Sequence, residues 1–329
     1  MLQIGGHYIL SKIIIVLLCV LAFASLSFWT YHKIRSAYEA KKYPSPYETV
    51  TVDSKNISLR VQGNGKHTIV LLPGLGTTAP ILDFEPLATS LAENNRVITI
   101  EPFGYGWSDL TDSPRTVENE VSEIRTALQN ANIEGPYILM VHSISGLDAI
   151  YYANAYPDEV AAVVGIDCTL PRMPEYFQEE LPEKEPSIIG HLCDIGITRL
   201  ICMLDPSNFT SDNTMGIYSQ ENLYNQKLLA CRMADNSTVV DQLNHIEENI
   251  TATHDYDFAQ DIPLLFFTTD GSQQEPRTDH KTSKTFYESY INNPSIQSVV
   301  CFDAQHYMHW TKAKEIASET ESFIESNLE

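Results

Sequence analysis

The 329-residue sequence has few cysteines and few basic side chains, and each shortage excludes a class of function. Its six cysteines are irregularly spaced and include no C-x-x-C pair, which argues against a disulfide scaffold and against structural zinc. Twenty-one lysines and arginines face 43 acidic residues, and the net charge of −22 excludes a protein that binds the phosphate backbone of nucleic acids. The sequence also lacks internal repeats and low-complexity segments. What remains, with 43% hydrophobic residues, is the composition of a globular protein.

An uncharged apolar run extends from Ile13 to Tyr31. As a helix, its 19 residues would span roughly 28 Å, close to the ~30 Å hydrocarbon layer of a bilayer. We therefore predict a transmembrane helix over about 13–31, within a single-pass membrane anchor over 1–43. A cleaved signal peptide is the alternative, because Ala22-Phe23-Ala24 resembles a cleavage site.

Two sequence features give opposite indications of the side of the membrane on which the rest of the chain lies. Basic residues follow the run, and the positive-inside rule then favours a cytoplasmic location. Four N-glycosylation sequons point the other way, since they matter only in a eukaryotic secretory lumen. The basic residues are Lys33, Arg35, Lys41 and Lys42, and the sequons are at Asn56, Asn208, Asn236 and Asn249.

After Pro44, short apolar strands alternate with amphipathic helices, which is typical of an α/β sheet. We predict a mostly parallel, eight-stranded sheet with helices on both faces. The strands are an antiparallel hairpin, over 47–52 and 57–61, and six buried segments, over 67–72, 96–100, 137–141, 161–166, 263–268 and 296–302. Helical periodicity covers 117–130, which follows a Thr116 cap, 146–155 and 312–326.

One long stretch between Leu170 and Asp261 has no strand pattern. It carries helical runs over 188–204, 217–233 and 239–251 instead. We predict a helical cap over 170–260, inserted into a core formed by 44–169 and 261–329. Such a cap would cover the carboxyl edge of the sheet, where open parallel sheets bind ligands.

Three motifs follow predicted strands in an order that favours nucleophilic catalysis. The strand from Tyr137 runs directly into the turn His-Ser-Ile-Ser-Gly146, and a strained strand-to-helix turn with small neighbours can hold a nucleophile, here Ser143. An earlier strand ends in the turn Leu72-Pro-Gly-Leu-Gly76, which can direct a backbone N–H toward a reacting carbonyl oxygen. The last strand is followed by a loop that contains His306. Together these motifs predict a catalytic site.

With these motifs and the segment Glu101-Pro-Phe-Gly-Tyr-Gly-Trp-Ser-Asp109, residues 47–329 resemble the α/β-hydrolase fold family. The resemblance implies a triad of serine, acid and histidine, with the serine first and the histidine last. The sequence departs from the family pattern at Val141, which replaces the first glycine of G-x-S-x-G, and at Pro73 and Glu101.

The resemblance also implies how each residue acts. Ser143 would attack an acyl carbon, His306 would move the proton, and the backbone N–H groups of Leu75 and Ile144 would form the oxyanion hole. For the triad acid we favour Asp167, at the tip of the strand after the elbow helix. The alternative acid is Asp270, just beyond the next strand.

The predicted function is hydrolysis of an ester, thioester or amide of a small acyl substrate, with no metal or cofactor. A serine at the elbow disfavours epoxide hydrolase and haloalkane dehalogenase chemistry, which in this resemblance requires an aspartate there. One alternative is an aminopeptidase resembling proline iminopeptidase, and another is a non-catalytic binding module. The aminopeptidase would use acids of the cap to bind a substrate ammonium, namely Glu179, Glu180, Glu183 and Glu185. His142 and His309 are interpreted as supporting residues that pack or hydrogen-bond beside the site.

Overall fold

A computed structural model of the chain describes residues 2–186, 188–269 and 279–328. Over these residues eight strands form one sheet in the order β1-β2-β4-β3-β5-β6-β7-β8. The strands β1 and β2 are antiparallel to their neighbours, and all the other pairs are parallel. The bounds are β1 (Glu48–Val52), β2 (Lys55–Gln62), β3 (Thr68–Leu72), β4 (Arg96–Glu101), β5 (Tyr137–His142), β6 (Val160–Ile166), β7 (Leu264–Thr269) and β8 (Gln297–Phe302). The predicted sheet is confirmed.

Twelve helices accompany the sheet in the described part of the chain. They are α1 (Leu2–Lys42), α2 (Pro80–Asp83), α3 (Glu85–Leu91), α4 (Val117–Asn130), α5 (Gly146–Ala155), α6 (Met173–Phe177), α7 (Ile188–Asp194), α8 (Ile197–Leu204), α9 (Gln220–Met233), α10 (Ser237–Thr253), α11 (Ser283–Glu288) and α12 (His309–Asn327). The bounds of α4 and α5 agree with the sequence pattern. Helices α2, α3, α6 and α11 were not predicted, because a helix of four to seven residues is too short to display helical periodicity.

The central strands are buried on both faces, which is why they read as continuous apolar runs. Along β5, Ile138 and Leu139 point to opposite faces because side chains alternate across a strand. Leu139 belongs to a core cluster that includes residues of α4 and α5, whereas Ile138 belongs to a cluster that includes residues of α3 and α12. The sheet is thereby fixed from both sides, and its carboxyl edge is left to carry polar side chains.

Helices α6 to α10 lie between β6 and β7 in the chain. The predicted run over 188–204 is two helices, because Gly196 adopts a positive φ of 92° and ends the first of them. Helix α10 is joined to the rest of the chain by buried polar contacts: Asn236 Nδ2 donates to Gly104 O at 2.7 Å, and Asn249 Oδ1 accepts from Val117 N at 2.8 Å. Since both carboxamides are buried in these bonds, two of the four sequons are unavailable as glycan acceptors in the folded chain.

The apolar N-terminal run lies within α1, which continues as one helix to Lys42. The segment Lys12–Lys42 is long and apolar enough to cross a membrane, and a signal sequence has the same properties. Large side chains such as Leu17, Leu21 and Phe23 are exposed along it. The apolar part of α1 is therefore a helix that the hydrophobic core of the chain does not cover.

Candidate active site

The serine of the elbow has a strained backbone. Ser143 follows β5 directly and has a φ of +53°, a value that non-glycine residues rarely adopt. Its carbonyl accepts a hydrogen bond from Thr169 N at 2.7 Å, and Ser145 Oγ donates to Pro73 O at 2.6 Å. The turn is thus held from two sides, and its geometry is that of a nucleophile elbow.

Gly146 is the position at which the elbow tolerates no side chain. A Cβ there would lie 2.2 Å from Thr169 O and 3.0 Å from Cys168 Cβ. We expect Gly146→Ala to lower the free energy of unfolding by roughly 3 kcal/mol, because the overlap must push α5 away from the segment that follows β6. Denaturant unfolding in detergent measures this loss. The exposed helical change Ser122→Ala is the control, and equal stability of the two variants would contradict the packing described.

The structure brings Ser143, His306 and Asp167 into one chain of contacts. His306 Nε2 lies 2.9 Å from Ser143 Oγ, and His306 Nδ1 lies 2.7 Å from Asp167 Oδ2. The second oxygen of Asp167 accepts a hydrogen bond from Thr268 Oγ1 at 3.1 Å. The side chain of His306 is 46% exposed, so the site is open to a substrate. Asp270, the alternative acid, lies outside the described residues.

The glycine-rich turn after β3 passes directly beside the elbow. A Cβ at Gly74 would lie 2.8 Å from Ser143 Cβ, so only glycine allows this approach. Leu75 follows Gly74, and Ile144 follows Ser143, so the two predicted oxyanion amides belong to the two segments in contact. Gly76 N donates to the hydroxyl of Tyr105 at 3.3 Å, and this hydroxyl donates to Gln242 of α10 at 2.5 Å. The turn is thereby tied to the inserted helices.

His142 and His309 lie beside the loop that carries His306, as their interpretation as supporting residues requires. His142 Nε2 is 3.2 Å from the carbonyl oxygen of His306, and the two imidazole rings are 4.7 Å apart. Burial lowers the pKa of His142 well below its usual range, so this imidazole is neutral and adds no charge beside His306. His309 Nε2 lies 2.6 Å from Asp83 Oδ2, which also fixes the start of α12.

Sequence reasoning missed several buried carboxyl groups near the site. Glu101 ends β4 and is completely buried, and its carboxyl group accepts N–H bonds from Trp107 at 2.7 Å and from Ile81 at 3.4 Å. Burial raises the pKa of Glu101 to about 8. Its partners are two backbone N–H groups and the side chain of Ser58, and none of them marks a buried carboxyl group in the sequence. The one available signal was the glycine-rich stretch after it, since a Cβ at Gly106 would overlap the carboxyl group at 2.0 Å.

The raised pKa of Glu101 makes stability depend on pH. The folded chain keeps a proton that the unfolded chain, with a pKa of 4.5, has released, so stability is lost as pH rises from about 5 through 8. We expect Glu101 to contribute roughly 3 kcal/mol to the fall in the free energy of unfolding over this range, and Glu101→Gln to remove that contribution. Urea unfolding at pH 5, 6, 7 and 8 measures both profiles. Burial also raises the pKa of Asp148 to about 7, and this group adds the same pH dependence to the parent and to the variant. Parallel profiles for the parent and Glu101→Gln would therefore contradict the role of Glu101.

A cavity lies next to the residue that follows His306. A cavity of about 120 Å³ opens beside Gly76 and Tyr307, the residue after His306, and Asp83, Ser211 and Gln226 also line it. The cap acids proposed for an aminopeptidase are all exposed, on the segment between α6 and α7: Glu179, Glu180, Glu183 and Glu185. Exposed carboxylates are solvated, so nothing in their setting favours an ammonium site.

Fold and sequence together define the class. Residues 67–313 match the family model described as the alpha/beta hydrolase fold, and the chain belongs to this family. Among relatives, an uncharacterised Bacillus subtilis protein is 31% identical over 164 residues, which are 50% of this chain and 50% of that protein. The 2-(acetamidomethylene)succinate hydrolase of Mesorhizobium japonicum is 32% identical over 120 residues, or 36% of this chain and 42% of the relative. The chain thus spans about half the length, or less, of these curated relatives.

Solved structures with the same fold include epoxide hydrolases. The Cif epoxide hydrolase from Acinetobacter nosocomialis superposes with a TM-score of 0.66 at 13% identity, covering 90% of this chain and 96% of that chain. An epoxide hydrolase from Vigna radiata superposes with a TM-score of 0.62 at 17% identity, covering 85% of this chain and 97% of that chain. At these identities the likeness concerns the fold alone, and the site must decide the chemistry.

Proposed function

We propose that this α/β hydrolase is a serine hydrolase that cleaves an ester, thioester or amide bond through an acyl-enzyme on Ser143. The observation that carries the proposal is the unbroken chain of contacts from Ser143 Oγ to His306 at 2.9 Å and from His306 to Asp167 at 2.7 Å. A serine hydroxyl is a weak nucleophile by itself, and an adjacent base that a third group orients is what activates it.

The geometry supports a two-step reaction. His306 Nε2 takes the proton of Ser143 Oγ as the oxygen attacks the carbonyl carbon, while Asp167 holds the opposite ring nitrogen and stabilises the imidazolium. The N–H groups of Leu75 and Ile144 would receive the developing oxyanion. His306 then protonates the leaving alcohol, thiol or amine. In the second step it deprotonates a water molecule, which attacks the acyl-enzyme and releases the acid.

Epoxide hydrolysis is not supported by this site, although epoxide hydrolases share the fold. A carboxylate nucleophile that opens an epoxide forms an ester, which water can then hydrolyse at its carbonyl carbon. Ser143 would form an ether, which has no carbonyl carbon for water to attack, and the enzyme would be trapped after one turnover. The residue at the elbow therefore favours acyl transfer.

The inserted helices are assigned to substrate selection. We divide the chain into an anchor (1–43), a core (44–169 and 261–329) and a helical cap (170–260). Gln242 of α10 bonds to Tyr105, which bonds to the glycine-rich turn, so the cap also supports the oxyanion amides. The Mesorhizobium relative is named for a substrate that contains an acetamide group, which supports amides among the substrates to be tested.

We also propose that α1 anchors the enzyme to a membrane. Its exposed apolar side chains and length support this role. The polar part of the same helix is packed into the folded chain: Glu39 is buried and pairs with Arg199 of α8 at 2.8 Å. A segment fixed in this way is more consistent with a retained anchor than with a leader that is discarded.

A substrate panel tests the proposed chemistry. The full chain in detergent is assayed with p-nitrophenyl esters of increasing chain length, an acyl thioester, acetanilides, aminoacyl amides and styrene oxide. We expect steady turnover of at least one acyl substrate and none of the epoxide. Sustained turnover of the epoxide alone would contradict the proposal, and selective turnover of aminoacyl amides would favour the aminopeptidase alternative. A chain that turns over nothing and gives no acyl-enzyme with any member would behave as a binding module.

A further inference from the structure

Helix α8 buries its polar side chains and exposes its apolar ones, the reverse of the usual arrangement at a protein surface. Thr198, Arg199 and Cys202 are buried. The exposed side chains of the helix are large and apolar, and we call them the α8 apolar face: Ile197, Leu200, Ile201, Met203 and Leu204. Leu204 is 80% exposed. An exposed apolar cluster of this kind on a folded chain marks a surface that contacts a protein or a membrane.

The buried side of α8 is fixed to α1 by a charged network. Arg199 donates to both carboxylate oxygens of Glu39, at 2.8 and 3.2 Å, and to Ser36 Oγ at 3.0 Å. Its Nε lies 3.1 Å from Nδ1 of His32. Arg199, Glu39 and His32 are all buried. Because a bidentate arginine pair holds both distance and orientation, α8 is held in a defined position relative to α1.

The start of α8 lies at the level where the apolar run of α1 ends. A Cβ at Gly196 would lie 2.8 Å from His32 Cβ and 3.1 Å from Phe28 Cε1, and Asp194 pairs with Lys33 at 3.4 Å. At this level α1 exposes Trp29, an aromatic side chain of the type that is enriched at membrane interfaces. With α1 across a bilayer, the α7–α8 turn would therefore lie at the boundary between lipid and water.

We propose that the α8 apolar face is a membrane-contacting surface, which rests on the bilayer around the anchor. The partner is a lipid surface of zwitterionic rather than anionic character, because the chain carries a net charge of −22. This inference depends on the proposed anchor role of α1 and not on the chemistry of Ser143. Its consequence is that the cap is held at the surface of the lipid, where apolar acyl substrates are concentrated.

Photolabelling from inside the bilayer tests the proposal. The full chain is reconstituted into phosphatidylcholine vesicles with a trace of phosphatidylcholine that carries a diazirine in its acyl chain, and the labelled peptides are mapped after irradiation. We expect label on α1 and on residues 197–204. The double variant Leu200→Gln, Leu204→Gln should lower the label on 197–204 severalfold. The matched control Val61→Gln, Leu110→Gln, which changes two exposed apolar residues outside the cap, should leave it unchanged.

The outcomes separate the inference from the proposed chemistry. Label on α1 without label on 197–204 would overturn the inference, because the α8 apolar face would then be covered by something other than lipid. An unlabelled α1 would overturn the anchor and the inference together. Reaction of Ser143 with a fluorophosphonate in the same vesicles reports the active site independently, so its loss would concern the proposed function alone.

Discussion

Ser143→Ala is expected to lower turnover of the preferred acyl substrate by roughly 10⁵-fold or more, to the level that oxyanion contacts and binding alone sustain. The reason is that the variant lacks the only atom that can form the acyl-enzyme. Its thermal midpoint should stay within a few degrees of the parent, because the Ser143 side chain is only partly buried and, among the described residues, its hydroxyl contacts His306 alone.

Ser145→Ala provides a matched control at the same elbow. Ser145 is buried, and its hydroxyl supports the turn through Pro73 O, so its loss should affect stability more than chemistry. We expect this variant to keep turnover within roughly tenfold of the parent. If Ser143→Ala retained most of the parent activity while Ser145→Ala lost it, Ser143 would not be the nucleophile.

Asp167→Asn is expected to lower turnover by roughly 10⁴-fold. The physical reason is the tautomer of His306. A carboxylate accepts the proton of Nδ1 and leaves Nε2 free to take the proton of Ser143, whereas the amide of asparagine can donate to Nδ1 and so favours the tautomer with its proton on Nε2. That tautomer cannot act as the base. Steady-state kinetics with the parent and the variant measures the effect.

Asp270→Asn is the discriminating control, since Asp270 is the alternative acid. We expect it to change turnover by less than roughly threefold, because Asp167 already makes the contact with His306 Nδ1. The opposite result, with Asp167→Asn active and Asp270→Asn inactive, would show that the acid follows β7 instead of β6.

The sheet and the elbow could be read from the sequence because their signals are local. A buried parallel strand is a continuous apolar run, and a strand that ends in a cluster of small residues before a helix marks the position of Ser143. The family resemblance also favoured Asp167, but its contacts with His306 and Thr268 depend on the fold. The register pairs His142 with Ile166 and Ile166 with Phe267, which sets Asp167 at the same sheet edge as Ser143 and beside Thr268.

The remaining features depend on residues far apart in the chain, for which a single sequence offers no signal. Arg199 and Glu39 are 160 positions apart, yet they form the buried pair that joins α8 to α1. Tyr105 and Gln242 are 137 positions apart and join the glycine-rich turn to the cap. Partners of this kind cannot be assigned from composition or periodicity, since each residue alone is an ordinary polar side chain.

The most direct test of the serine hydrolase assignment is the site of covalent modification. The full chain in detergent is treated with a fluorophosphonate, digested and mapped by mass spectrometry. We expect one adduct, on Ser143, that is lost in His306→Ala because the hydroxyl is then no longer activated. An adduct on a different serine, or an unmodified Ser143 in a folded chain that still turns over acyl substrates, would contradict the assignment.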